Sequence, residues 1–201
     1  MISQLRISIV VLTILTLLTG IGYPILVTAV AQLVFPSQAD GSLIVVNERP
    51  IGSELIGQDF RSPAYFWGRP SATALYACNA TASGGSNLGP LNPALREAVQ
   101  SRLEALHAKS ADRTPVPIDL VTASASGLDP HISPAAAEYQ IARVARLRGL
   151  SEERVREVVQ AQTEPRTWGI LGEPRVHVLH VNLTLDAMGG TDSSDAGAEK
   201  E

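Results

Sequence analysis

At 201 residues the chain has room for one folded domain of ordinary size and something extra. Hydrophobic residues make up 45% but aromatics only 4%, so the expected core is built from Ala, Val, Leu and Ile. A net charge of −4 argues against a nucleic-acid binder, whose footprint is basic, and the single cysteine, Cys78, excludes an intramolecular disulfide framework and a cysteine-based zinc cluster.

The first element is the most conspicuous. From Ile7 to Ala39 there is no charged side chain, and the run is almost wholly apolar. A membrane-spanning helix needs about 20 apolar residues, and this stretch exceeds that. Gly20, Gly22 and Pro24 in its middle predict a kink rather than a break. A secretory signal with an Ala-x-Ala site at Ala29–Ala31 is the rival, but signal apolar regions are typically about 7–15 residues, so a retained anchor is expected. Arg6 precedes the span, whereas Asp40, Glu48 and Arg49 follow it. The positive-inside rule then places the N-terminus in the cytoplasm and the body outside. The expected organisation is a short cytoplasmic segment (1–6), one transmembrane helix (7–35), an extracytoplasmic α+β domain (36–187) and a disordered tail (188–201).

After the span, Ser42–Asn47 reads as a short β-branched strand bounded by Gly41 and Pro50. The segment Gly52–Ala72 is punctuated by glycine and proline and carries Tyr65, Phe66 and Trp67, expected to anchor the core. Asn92 and Pro93 open a helix with Leu95, Val99, Leu103 and Leu106 on one face and His107 at its end. Ser133 and Pro134 open a second, with Ala137, Ile141, Val144 and Ala145 as its buried stripe and Gly149 closing it. Ser151 opens a third through Val155, Val158 and Val159. The final stretch, Arg175–Asp186, alternates at Val176 and Val178 and reads as a strand. On a strand His177 and His180 point to opposite faces, which defeats a shared metal site.

Two stretches invite chemistry. "SGGSNLG" gives Gly84 and Gly89 the gap of a phosphate-binding loop, and "SGGS" is similar to the signature of ATP-binding cassettes. However, Pro90 and Leu91 stand where a lysine and a hydroxyl are needed, and proline has no amide hydrogen to donate. A structured turn before a helix is the plainer reading. The stretch Val116–Ser133 contains Asp119, Ser124, Ser126, Asp129 and His131, from which a Ser–His–Asp hydrolase can be drawn. It lacks the Gly-x-Ser-x-Gly turn. Asp129-Pro130 as a turn and Ser133 as a helix cap explain it more simply.

The N-terminal span, "GSELIGQDF", "YFWGRPSA", "SGGSNLGPLNP", "VPIDLVTASASGLDPHIS", "QIARVARLRGL" and "HVLHVNLTLD", in that order, resemble the C-subunit family of the bacterial Kdp potassium-transporting P-type ATPases. The resemblance covers Leu5 to Asp186, with Cys78 and His177 standing where the family often has asparagine. It implies a non-catalytic accessory subunit in the bacterial plasma (inner) membrane. Its partners would be a potassium channel-like subunit, an ATP-hydrolysing P-type subunit and a small membrane subunit. It also implies a role in assembly, and as a catalytic chaperone that raises the ATP affinity of the hydrolysing subunit. No tightly bound cofactor is expected, only ATP shared with that subunit. Ser83, Gly84, Gly85, Ser86 and Asn87 are then the candidate nucleotide or partner contacts. The topology argument opposes direct contact, because a bilayer core about 30 Å thick would separate an outside loop from cytosolic ATP. Capping the outer mouth of the channel subunit, with allosteric influence on ATP, fits that topology. The alternative is an anchored extracytoplasmic hydrolase using Ser124 or Ser126 with His131.

Overall fold

The computed structural model describes residues 2–46, 48–107 and 114–189. The chain forms two compact units, Met1–Ser53 and Glu54–Glu201.

In the first unit, α1 (Ile2–Leu17) and α2 (Tyr23–Val34) are joined by one π-helical turn, Leu18–Gly22. Pro24 cannot donate to the turn before it, and the ladder accommodates this by widening: the Tyr23 amide reaches back to the Leu18 carbonyl. The helix therefore continues without a break. Thr13 and Thr19 donate their hydroxyls to the carbonyls of Ile9 and Leu15, so neither polar group is left bare on an apolar rod. Ile2–Val34, 33 residues long with mean hydropathy 2.2, is long and apolar enough to cross a membrane. None of its residues is buried within the chain.

A short turn, α3 (Pro36–Ala39), leads into an antiparallel hairpin of β1 (Leu43–Val46) and β2 (Arg49–Ser53). The expected strand is β1, although Asn47 lies outside the described residues. A bulge between Ile44 and Val45 bends the pair, and Pro50 is tolerated because both strands are edges.

The second unit begins with a long segment whose only helical turn before Asn92 is Ala80–Ala82. Next comes α4 (Pro93–His107), capped as expected by Asn92, whose Oδ1 accepts from the Ala94 amide. A second 3-10 turn, Ile118–Leu120, precedes β3 (His131–Ile132). Then follow α5 (Pro134–Arg148), α6 (Glu152–Ala161), β4 (Thr163–Glu164), β5 (Arg175–His177) and α7 (Val178–Met188). β5 is the middle of a three-stranded antiparallel sheet, with β3 and β4 at its edges. This is the expected α+β architecture behind one apolar helix.

The caps and stripes of α5 and α6 match expectation. Ser133 accepts from the Ala136 amide, Gly149 takes the left-handed conformation at φ 66°, and Ser151 accepts from the Arg154 amide. Ala137, Ile141, Val144, Ala145, Val155, Val158 and Val159 are all buried with Phe66 in one core. Each buried Val or Ile side chain stabilises the fold by about 1.5–3 kcal/mol.

The closing strand is a correction. Only Arg175–His177 is extended, and the chain turns helical at Val178. The β-branched alternation at Val176 and Val178 is genuine but ends there. Beyond it Val178, Val181, Asn182 and Leu185 recur at helical spacing and are all buried. Of the expected tail, 188–201, Met188 is the last residue of α7 and packs against the core, and the residues from Gly190 onward lie outside the described ones.

Candidate functional site

The loop Ser83–Asn87 is positioned by a buried asparagine. Asn79 caps the 3-10 turn through Oδ1, which accepts from the Thr81 amide and hydroxyl, and its Nδ2 donates to the Ala74 carbonyl. The chain then runs against residues 124–127. The Gly84 amide donates to the Ser126 carbonyl at 2.9 Å, and the Ser83 hydroxyl donates to the same oxygen at 3.1 Å. A Cβ on Gly85 would stand 2.7 Å from the Ala125 carbonyl oxygen, so this position requires glycine for close backbone approach. Gly127, at φ 69°, is closed in by Thr73 and by the Gly84 carbonyl. Ser71 completes the lock by donating to the Gly127 carbonyl at 2.7 Å and accepting the Cys78 amide at 2.9 Å.

This arrangement answers the phosphate-loop question. Gly85 makes room for the protein's own backbone, and the Gly84 amide is already bonded. Ser86 and Asn87 remain exposed, Asn87 in the left-handed region at φ 50°. Of the five candidates, two are docked by hydrogen bonds, Gly85 by packing, and two face outward.

The segment Pro63–Trp67 anchors the core as expected, with Phe66 inside it and Trp67 packed against it, but sequence reasoning missed how its backbone is held. It has no regular structure, yet Phe66 is 1% exposed. Its backbone is paired by side chains instead. Asn182 accepts from the Phe66 amide and donates to the Phe66 carbonyl, at 2.8 and 3.0 Å. Gln140 does the same for Trp67, at 2.8 and 3.1 Å. Arg143 donates to the carbonyls of Pro63 and Tyr65 and lies over the Trp67 ring. Burial pulls its guanidinium down to about 10, so it remains charged at neutral pH. Arg148 donates to the Ala64 carbonyl, pairs with Asp186 at 2.8 Å and stacks over Tyr65. A Gln and an Asn on apolar helix faces were the available signal, since a buried amide requires partners.

The second candidate stretch assembles differently from its sequence reading. β3 and β5 place His131 opposite His177, and the helical start of α7 brings His180 over His177, with ring centroids 4.0 Å apart. The expectation of opposite faces is thus corrected: one turn of helix, not a strand, separates the two. His177 caps α7, accepting the His180 amide on Nδ1. Its Nε2 therefore carries the hydrogen, donated to the Glu54 carbonyl at 2.8 Å. Burial pushes the His177 imidazole down, the bond to Glu54 opposes this, and the neighbouring His180 and His131 lower it further.

His131 turns Nδ1 toward Asp129 (3.4 Å) and Nε2 toward Glu164 (3.8 Å). Ser126 Oγ accepts from the Leu128 amide, and Ser124 is buried. No hydrogen bond joins either serine to His131 among the described residues, so a nucleophile with its base is not assembled. Burial by itself would raise the Asp129 carboxyl, but bonds from His131 and Arg69 outweigh it and hold it below the usual range. Among the described residues no group of three or more His, Cys, Asp or Glu is placed to hold a metal ion.

A family model described as KdpC, K+-transporting ATPase, c chain, matches residues 5–187. The chain is 62% identical over 185 residues to a potassium-transporting ATPase KdpC subunit of Polaromonas naphthalenivorans (strain CJ2), covering 92% of this chain and 94% of that one. It is 59% identical over 189 residues to the KdpC subunit of Methylococcus capsulatus (strain ATCC 33009 / NCIMB 11132 / Bath), covering 94% and 100%. A Variovorax paradoxus (strain S110) KdpC subunit is 59% identical over 186 residues, covering 92% and 96%. The chain belongs to the KdpC family.

Proposed function

We propose that this chain is the accessory C subunit of a potassium-transporting P-type ATPase, held in the plasma membrane by its one apolar helix. Its second unit lies on the extracytoplasmic side, caps the outer mouth of the channel-like subunit and stabilises the assembled complex. It raises the ATP affinity of the hydrolysing subunit from a distance, as a catalytic chaperone acting by allostery. Coupling of this kind is typically worth about 1–3 kcal/mol and is reciprocal, so potassium or pump state alters how the subunit docks.

The observation that carries this reading is the pair of hydrogen bonds that the Ser83 hydroxyl and the Gly84 amide donate to the Ser126 carbonyl, with Gly85 closed against Ala125. A nucleotide cradle needs unbonded amides and a cation. In this loop the Gly84 amide is already bonded to Ser126, and Ser83–Asn87 carries neither lysine nor arginine. The exposed Ser86 and Asn87 then serve as contacts to a partner subunit. The test is to purify the tagged full chain from membranes. Stoichiometric recovery of two large polytopic proteins is expected, together with loss of potassium uptake at micromolar supply when the chain is deleted. Recovery of the chain without such partners overturns the proposal.

A further inference from the structure

One feature of the second unit violates several local rules together. Between β4 and β5, Thr167 and Leu171 exchange both backbone hydrogen bonds, at 2.9 and 3.0 Å, and close a tight turn over Trp168, Gly169 and Ile170. Trp168 stands in the left-handed region at φ 54°, followed by Gly169 at φ 77°. A bulky residue there is strained, and glycine or asparagine would be the natural occupant. Burial does not compensate, since the side chain is 84% exposed, with Ile170 75% and Leu171 51% exposed beside it. The chain has only two tryptophans and few aromatics. Placing one on a strained, solvent-facing tip contradicts both conformational preference and burial, and such conflicts concentrate at functional positions.

The arms below the tip are built alike. One reads Glu164-Pro165-Arg166 and the other Glu173-Pro174-Arg175. Their charges pair crosswise, Arg166 with Glu173 and Arg175 with Glu164, each at 2.6 Å. The prolines stiffen both arms. The result is a projecting apolar tip on a stem whose charges are neutralised internally, with no net field to steer it toward a charged protein surface.

We infer that the Trp168–Leu171 tip inserts into the interfacial layer of the lipid bilayer, giving the second unit a second membrane attachment besides the span. Tryptophan is enriched at this layer because its ring is apolar and its indole N–H remains able to donate to water or headgroups. Isoleucine and leucine beside it supply the apolar contact that interfacial insertion requires. Chain connectivity keeps the second unit close to the anchor: it starts at Glu54, directly after Ser53, which pairs with Leu43, and the stretch from Val34 to Leu43 reaches at most about 30 Å. The inference rests on the reading of Ile2–Val34 as a membrane anchor.

The experiment uses the full chain with Trp67→Phe, leaving Trp168 as its only tryptophan. It is reconstituted in phosphatidylethanolamine–phosphatidylglycerol vesicles, with or without bromine on the acyl chains. Flotation of the chain with vesicles tests the anchor, and Trp168 fluorescence tests the tip. The expected result is flotation, blue-shifted emission, and at least about a twofold loss of intensity in brominated lipid, the contact quenching that interfacial depth predicts. If Trp67→Phe does not fold, the difference between the unaltered chain and Trp168→Gly gives the same signal, and glycine suits that backbone. Flotation with water-like, unquenched Trp168 emission overturns the tip and leaves the anchor standing. Blue shift that arises only when partner subunits are added, without bromine quenching, overturns it in favour of a protein contact. Absence of flotation overturns both.

Discussion

Two regions of the second unit reach the same burial by opposite means. In α5 and α6 the backbone satisfies itself within the helices, and side chains are left to pack: Ile141, Val144 and Val155 are each at or below 1% exposure. In Pro63–Trp67 the backbone finds little partner of its own beyond the Tyr65 amide on the Ser62 carbonyl, and Phe66 is equally buried. There the side chains of Gln140, Arg143, Arg148 and Asn182 act as the missing strand, pairing with the backbone. The first region tolerates loss of a methyl group in proportion to its size. The second depends on individual polar atoms, because a buried N–H or C=O without a partner carries its full desolvation penalty.

That contrast is sharpest at Asn182. Replacing it with leucine increases hydrophobicity at similar volume, yet leaves the Phe66 amide and carbonyl both unpaired. Each unpaired group costs roughly 1–3 kcal/mol. Ile141→Val in the helical region is expected to cost about 0.5–1.5 kcal/mol. Urea unfolding of both variants checks this, and equal losses would erase the distinction. Gly127→Ala comes next. Its Cβ would lie 2.6 Å from Thr73 Cγ2 and 2.7 Å from the Gly84 carbonyl oxygen, at positive φ. Left-handed strain of about 1–2 kcal/mol with some overpacking predicts a loss of roughly 2–4 kcal/mol. Gly149→Ala has the same sign of φ but open space, so it should lose less.

The smallest effect is expected at His177 and appears only with pH. Its folded-state value lies below the ordinary histidine value, so the unfolded chain binds the proton more readily. The stability it contributes is complete above the ordinary histidine value and declines as pH falls from there toward the lower folded value. Protonating Nδ1 also turns the α7 cap from acceptor to donor, facing the His180 amide. Asp129, His131, Glu164, Glu54 and His180 are the charged and titratable groups around it. His177→Asn keeps a capping acceptor and removes the titration. Melting temperature as a function of pH should therefore be flatter for the variant across that window, and unchanged slopes would refute the assignment.

What was legible in the sequence follows the same division. α4, α5 and α6 could be read because caps and apolar stripes are local: Asn92, Ser133, Ser151 and Gly149 stand where helix physics requires them. The apolar helix was legible from composition alone. Arg175–Asp186 was misread because Val176 and Val178 satisfy the strand period, whereas the helical period emerges only from Val178 to Leu185. The partners of Pro63–Trp67 were illegible, since Gln140 and Asn182 lie 73 and 116 residues from the atoms they bind. The loop at Ser83–Asn87 could be read only as a connection before α4; its dock on Ser124–Gly127 depends on backbone proximity that no spacing encodes.

The placement of the second unit outside the membrane remains the claim on which the allosteric reading turns. Cys78 is a poor reporter, because it is half-buried and burial raises its thiol. Leu91 is 91% exposed and lies just beyond the glycine-rich loop. The full chain carrying Cys78→Ser and Leu91→Cys should be treated in intact cells with a membrane-impermeant maleimide. Labelling in intact cells, equal to that after lysis, is the result predicted for an outer cap acting on ATP at a distance. Labelling only after a lysis that preserves the fold would put the loop in the cytoplasm and contradict that account, leaving Ser86 and Asn87 as direct nucleotide contacts.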